Sequence, residues 1–327
     1  MQIKNISLSF FSIILVLILI EIILRLNGSS PRKINNFILN EPLTNVPDEI
    51  LGWSPKIGKH KFKPWSDDGK ITYLTINKDK SRVTGSNLID KKIVFIGGSN
   101  TLGWAVDDFE TFTSIIQNKT NDYKIMNFGV GGYSGYQSLL LLEKIFEKKD
   151  QIELVIYGFI PHHEVRNTAA GSWMYLLNFF STRGFVNLPY ASIDKENNLL
   201  RYDPIKYINL PLGDKSALIA KIEKRIMKIK SYNREKKQIE ISKAIIKEMD
   251  KISKMNGSNF QLLVLENLNK QKFNVYTNLA RNNNIPLINC PMPQGEKYNV
   301  KGDGHPSYSA HKITAECIIN KVDILKN

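Results

Sequence analysis

Three short stretches carry residue types that can perform acyl chemistry. In "IVFIGGSNT", Ser99 follows two glycines directly after an apolar run. Such a turn lifts a side chain out of a sheet, where it can meet a substrate, although a plain strand-to-helix loop also uses glycine. In "GDGHP", Asp303 stands two residues before His305. A carboxylate so placed can hold one imidazole nitrogen and leave the other free to accept a proton. Serine, aspartate and histidine in that chain order form a candidate triad of nucleophile, orienting group and base. In "NFGVGGYSG" a second apolar run ends in glycines, where the backbone forms either a flexible turn or an amide able to approach an oxyanion. A fourth stretch, "GFIPHHEVRN", brings His162, His163 and Glu164 together. Adjacent histidines point to different sides, and no third ligand has matching spacing. No metal is expected there, and one histidine suits a hydrogen-bond donor lining a pocket.

Positioning these residues requires a scaffold. Short apolar runs at 93–96, 125–128, 154–159, 260–265 and 285–289 read as buried parallel strands. Helical patterns cover 111–118, 136–148, 216–230, 239–255, 273–282 and 310–319. The alternation predicts an α/β fold whose parallel sheet is covered on both faces. Ligands in such folds bind beyond the carboxyl ends of the strands, where Ser99 falls. The stretch 168–214 breaks the pattern and is too long for a routine connection. It reads as an aromatic, loop-like insertion over the active-site face or a partner-binding flap; Trp173, Phe179 and Phe180 suit an apolar acyl pocket. Residues 27–90, rich in Pro, Lys, Asp and Asn, read as a juxtamembrane segment packed partly on the main domain.

At 327 residues the chain can bury one large domain, or one domain with an appendage. Residues 6–24 are apolar apart from three serines and Glu21. At about 1.5 Å per residue they nearly cross a hydrocarbon core of about 30 Å. No small-x-small cleavage site follows, so an uncleaved anchor is expected. Lys4 on one side, against Arg25, Arg32 and Lys33 on the other, leans slightly toward a cytoplasmic C-terminal domain. The net charge of +14 is scattered, and its densest stretch, 215–237, interleaves with Ile and Met at helical spacing. That is a solvated helix face, and no nucleic-acid partner is expected. Cys290 and Cys317 exclude a disulfide-rich scaffold and lack metal-site spacing; they either pair in an oxidising compartment or remain two buried thiols.

Taken together, "IGGSNT", "NFGVGGYSG" and "GDGHP" resemble the sequence blocks of the SGNH/GDSL hydrolase superfamily over roughly residue 90 to the C-terminus. The resemblance implies a flavodoxin-like three-layer sandwich with a parallel five-stranded sheet. It also implies hydrolysis or transfer of esters, often acetyl groups on carbohydrates, without a cofactor. Ser99 then matches the nucleophile, Asp303 and His305 the other triad members, and the amides of Ser99 and Gly132 the oxyanion hole. Gly98 stands where the family often has aspartate. His162 occupies the position of the asparagine that supplies a third oxyanion donor, and His163 that of the following aspartate. "EIILRL" is similar to the anchor of membrane-tethered relatives whose catalytic domains face outward, which outweighs the charge count. The expected organisation is an anchor over 1–26, a juxtamembrane segment over 27–90, and a hydrolase domain over 91–327 with its insertion at about 168–214. The expected activity is a serine esterase acting on an acylated glycan or similar small ester. An O-acyltransferase using the same triad and an inactive glycan-binding or scaffold relative are the alternatives. Oligomeric state is not legible.

Overall fold

The computed structural model describes residues 2–33, 40–41, 43–62, 70–85, 89–181 and 184–326; parts of the juxtamembrane segment lie outside them. The chain begins with helix α1 (Gln2–Leu26) and strands β1 (Asn40–Glu41), β2 (Asn45–Asp48), β3 (Gly52–Pro55), β4 (Gly58–Phe62) and β5 (Tyr73–Ile76). Next come β6 (Lys92–Gly97), α2 (Ser99–Leu102), α3 (Phe112–Gln117), β7 (Lys124–Gly129), α4 (Gly135–Phe146), β8 (Ile152–Phe159), α5 (His162–Asn167) and α6 (Gly171–Phe180). It closes with β9 (Leu188–Ile193), β10 (Leu199–Ile205), α7 (Ala217–Lys236), α8 (Gln238–Met255), β11 (Asn259–Val264), α9 (Lys270–Asn282), β12 (Leu287–Asn289) and α10 (Tyr308–Lys321). Two compact units result: Met1–Phe37 with Ala170–Val186 and Lys206–Asn233, and Ile38–Ala169 with Asn187–Ile205 and Arg234–Asn327.

Within the larger unit, the described residues form a five-stranded sheet in the order β12-β11-β8-β6-β7. Every pairing is parallel. Counting only these strands from the N-terminus, the order is the doubly wound 2-1-3-4-5 arrangement, whose switch point lies between the first and third strands. Here those are β6 and β8. The side chains of β6 alternate between two cores, as a strand buried on both faces must. Val94 and Ile96 pack with α4 and α8 residues such as Leu139 and Ile245. Ile93 and Phe95 pack with α3 and α10 residues such as Ile116 and Ile318. The three-layer α/β sandwich expected above is therefore the observed architecture.

The segment preceding the sheet forms strands of its own and contacts the main sheet. β1, β4 and β5 form an antiparallel sheet, and β2 pairs with β3. The Arg82 N–H donates to Asn127 O at 2.8 Å, bridging this segment to the β7 edge of the main sheet. The stretch 168–214, read above as loop-like, contains α6 and the antiparallel hairpin β9–β10. Ala191 and Ile193 of β9 enter the main core. The Asp194 carboxylate accepts the N–H groups of Glu196 and Asn198 at the hairpin turn. A disulfide joins Cys290 to Cys317, resolving the pairing left open by spacing.

In the smaller unit, α1 carries the apolar stretch Ser9–Leu26, with mean hydropathy 2.6 and none of it buried. Near its end, the Glu21 carboxylate accepts hydrogen bonds from Ser216 Oγ and from the N–H groups of Ala217 and Leu218, at 2.8–2.9 Å. The first N–H groups of a helix lack intrahelical acceptors, so Glu21 caps α7 from another helix. Arg32 pairs with Glu223 at 2.8 Å in the buried interior of this unit, and the Leu210 N–H also donates to that carboxylate. Trp173, Phe179 and Phe180 lie on α6; Trp173 is buried and Phe180 exposed.

Candidate active site

Ser99 is the first residue of α2, immediately beyond the carboxyl end of β6 and at the switch point of the sheet. It is 6% exposed, buried yet reachable. His305 Nε2 lies 3.0 Å from Ser99 Oγ, across 206 residues of sequence. On the other side of the ring, Nδ1 lies 2.7 Å from Asp303 Oδ1, which also accepts the His305 backbone N–H at 3.0 Å. An ionised carboxylate only accepts, so Asp303 fixes the proton on Nδ1 and leaves Nε2 to accept from the serine hydroxyl. The loop holding this pair is tied to itself: the Val300 N–H donates to His305 O at 2.8 Å, and Asn299 Nδ2 donates to Gly304 O at 2.9 Å.

The glycine loop after β7 forms a turn in which the Tyr133 N–H donates to Val130 O at 3.2 Å. Gly132 occupies its third position at φ +80°, in the left-handed region, so the turn is type II and glycine is the residue that fits it. Outside groups hold the turn at two points. Trp53 Nε1 on β3 donates to Gly131 O at 3.1 Å, and Arg166 Nη1 on α5 donates to Tyr133 O at 3.2 Å. Burial lowers the Arg166 pKa to about 10, against the opposing charge of Glu266. Glu266 also accepts from Asn100 Nδ2 at 3.2 Å, next to the candidate nucleophile.

Trp104 connects these parts. Its ring centre is 6.2 Å from that of His305, and a Cβ built on Gly131 would lie 3.2 Å from the same indole. The loop carrying Trp104 is gripped by Arg82, a fully buried guanidinium on the segment before the sheet. Arg82 donates to the carbonyls of Leu102, Gly103, Val106 and Tyr73, and to the Asp108 carboxylate. Desolvation lowers its pKa, and Asp108 opposes that shift. Asn127 completes the frame: its Nδ2 donates to Thr101 O and Thr113 Oγ1, both at 2.9 Å.

The histidine pair divides as adjacent residues on a helix must. His162 is exposed at the first turn of α5, and among the described residues no hydrogen bond joins it to Ser99 or His305. His163 is fully buried; its Nδ1 lies 2.7 Å from Tyr157 Oη, and burial holds its pKa well below the ordinary histidine value. A Cβ on Gly98 would lie 2.7 Å from His163 Nε2, so the imidazole occupies the space beside the nucleophile turn. Glu164 is engaged with Lys272 Nζ and Tyr276 Oη, each at 2.8 Å.

The structure thus brings Ser99, Asp303 and His305 together. Trp53, Arg82, Trp104 and Arg166 have no sequence motif that announces them. Their partners lie far along the chain and are mostly backbone atoms, which leave no pattern of residue types.

No protein-family profile matches the chain, and no curated protein sequence does. Several solved structures overlap it in part. TesA overlaps at 13% identity and a TM-score of 0.41, covering 72% of this chain and 99% of its own. A psychrotrophic esterase, EstA from Pseudoalteromonas sp., gives 13%, 0.43, 72% and 99% for the same four measures. An acetyl xylan esterase, Axe2 from Geobacillus stearothermophilus, gives 11%, 0.38, 70% and 93%. At such identities, and at TM-scores below 0.5, these overlaps assign neither activity nor substrate to this chain.

Proposed function

We propose that this chain is a membrane-anchored serine esterase of the SGNH type that removes O-acyl groups, acetyl above all, from a carbohydrate or similar ester. The observation that carries this reading is the Ser99–His305–Asp303 relay, with contacts of 3.0 and 2.7 Å, at the end of a central parallel strand. Ser99 Oγ attacks the ester carbonyl carbon while His305 Nε2 takes its proton. Asp303 keeps the ring in the required tautomer and stabilises the imidazolium. The N–H groups of Ser99 and Gly132 receive the developing oxyanion. Collapse expels the alcohol, which leaves with the proton from His305. Water then gives a proton to His305 and attacks the acyl-serine; collapse releases the acid as His305 returns that proton to Ser99 Oγ.

His162 is the third donor in this reading. Its replacement by alanine is expected to lower kcat by about 10²–10³-fold, as loss of an oxyanion donor does; an unchanged kcat leaves a hole of two amides. The unburied apolar stretch of α1 supports the anchor. The Cys290–Cys317 disulfide supports an oxidising, extracytoplasmic compartment for the catalytic unit.

Fluorophosphonate labelling of the full chain in detergent tests the reading. A label on Ser99 in wild-type protein, absent from Ser99→Ala and His305→Ala, is the expected result. A folded wild-type protein that takes no label overturns it.

A further inference from the structure

The inference concerns what holds the oxyanion peptide, and it rests on the esterase reading of the site. The donor N–H of Gly132 belongs to the same peptide plane as the Gly131 carbonyl, and in a trans peptide these two groups point in opposite directions. Whatever fixes Gly131 O therefore fixes the direction of the Gly132 N–H. This peptide is the central one of the Val130–Tyr133 turn, the unit that reverses when a type II turn becomes type I. With glycine at both central positions, neither form carries the steric cost that other side chains impose. The local sequence does not decide between them.

Trp53 does. Its indole N–H donates to Gly131 O at 3.1 Å from β3. The ring is 8% exposed and meets Tyr133 edge-on, with centres 5.5 Å apart. Tyr133 Oη donates back to Trp53 O at 2.6 Å, so strand and turn hold each other at two points. A third bond runs from Gln137 Nε2, just beyond the turn, to Leu51 O at 2.7 Å. We propose that Trp53 is a positioning residue that latches the Gly131–Gly132 peptide in its type II orientation, so that the oxyanion hole is formed before substrate arrives. A residue far upstream of the nucleophile thereby orients a donor it does not itself supply. When the latch is lost, the peptide samples both orientations and only a fraction of molecules is competent at any moment.

The full chain in detergent carries the test, with Trp53→Phe removing the N–H and keeping an aromatic ring. Hydrolysis of 4-nitrophenyl acetate is measured per fluorophosphonate-titrated Ser99, together with inhibition by phenylboronic acid, whose tetrahedral adduct places an oxygen in the hole. Trp53→Phe is expected to lower kcat about 10-fold or more, short of the 10²–10³ for a deleted donor. The boronate inhibition constant rises by a similar factor, and KM stays within twofold. A residue that only supports folding lowers the titre of active sites and leaves the rate per site unchanged. Tyr133→Phe, which loosens β3 against the turn, gives a smaller change in the same direction and decides the matter if Trp53→Phe does not fold. Rates per site within twofold of wild type in the folded variants overturn the latch, provided wild type is active and Ser99→Ala is not. An inactive wild type, or an active Ser99→Ala, overturns the esterase reading and the latch together.

Discussion

At the residue scale, the geometry separates the candidate reacting groups from the groups that shape their surroundings. Asp303 faces Nδ1 of His305, so Asp303→Asn permits the wrong ring tautomer while keeping the shape. The expected loss in kcat is on the order of 10⁴ with KM little changed, read from steady-state ester hydrolysis. Gly98 and His163 form a coupled pair, because a Cβ at position 98 meets a buried imidazole held by Tyr157. Gly98→Ala is expected to destabilise the fold. A double-mutant cycle with His163→Ser is expected to show a coupling of about 0.5–3 kcal/mol in denaturant unfolding. Two buried neutral histidines set a pH dependence. Desolvation holds His163 well below its ordinary value and brings His311 to about 3, where Arg82 and His305 add to the effect. Unfolded, both titrate near pH 6.5, so unfolding takes up protons below that point. Stability therefore falls as the pH drops from about 6.5, approaching about 1.4 kcal/mol per pH unit for each ring, and for His311 down to about pH 3. Denaturant midpoints at pH 7 and 5 check this; equal midpoints refute it. Ser99, Asp303 and His305 were legible in the sequence because strand-end turns and a carboxylate beside a histidine are local signals. The burial of His163 against Gly98 was not, since nothing local tells which of two adjacent histidines faces inward.

At the element scale, the strands of the main sheet were legible nearly to the residue, because runs buried on both faces are continuously apolar. The short helices α2 and α5 were not, being too brief for a helical period to register. The β9–β10 hairpin was hidden by its mixed faces: β9 alternates buried and half-buried residues, whereas β10 is largely exposed. Arg82 shows how an isolated side chain organises elements around it. It ties β5 and the loop after α2 together through carbonyls that have no place in a motif. Arg82→Leu leaves Asp108 buried without its cation and several carbonyls without donors, at an expected cost of about 3–5 kcal/mol. Lysine lacks the planar fork and is expected to recover little of the loss. Chemical denaturation of the two variants beside wild type measures both.

At the scale of the whole molecule, the boundary at residue 91 suggested by the strand pattern falls inside the larger compact unit, which is delimited from Ile38. A chain starting at 91 lacks Trp53, Arg82 and strands β1–β5. It is expected to be insoluble or to take no fluorophosphonate label, whereas a chain starting at 38 retains the label. The Pro-, Lys- and Asn-rich composition of that segment concealed its role, because its contribution is made through a few long-range contacts. The disulfide has a different reach. Asp303 and His305 both lie between Cys290 and Cys317, so the candidate base is carried on a covalently closed ring, while the candidate nucleophile is not. On the esterase reading, reduction would leave the nucleophile in place and release the loop that carries its base, so activity would depend on oxidation where the sheet would not.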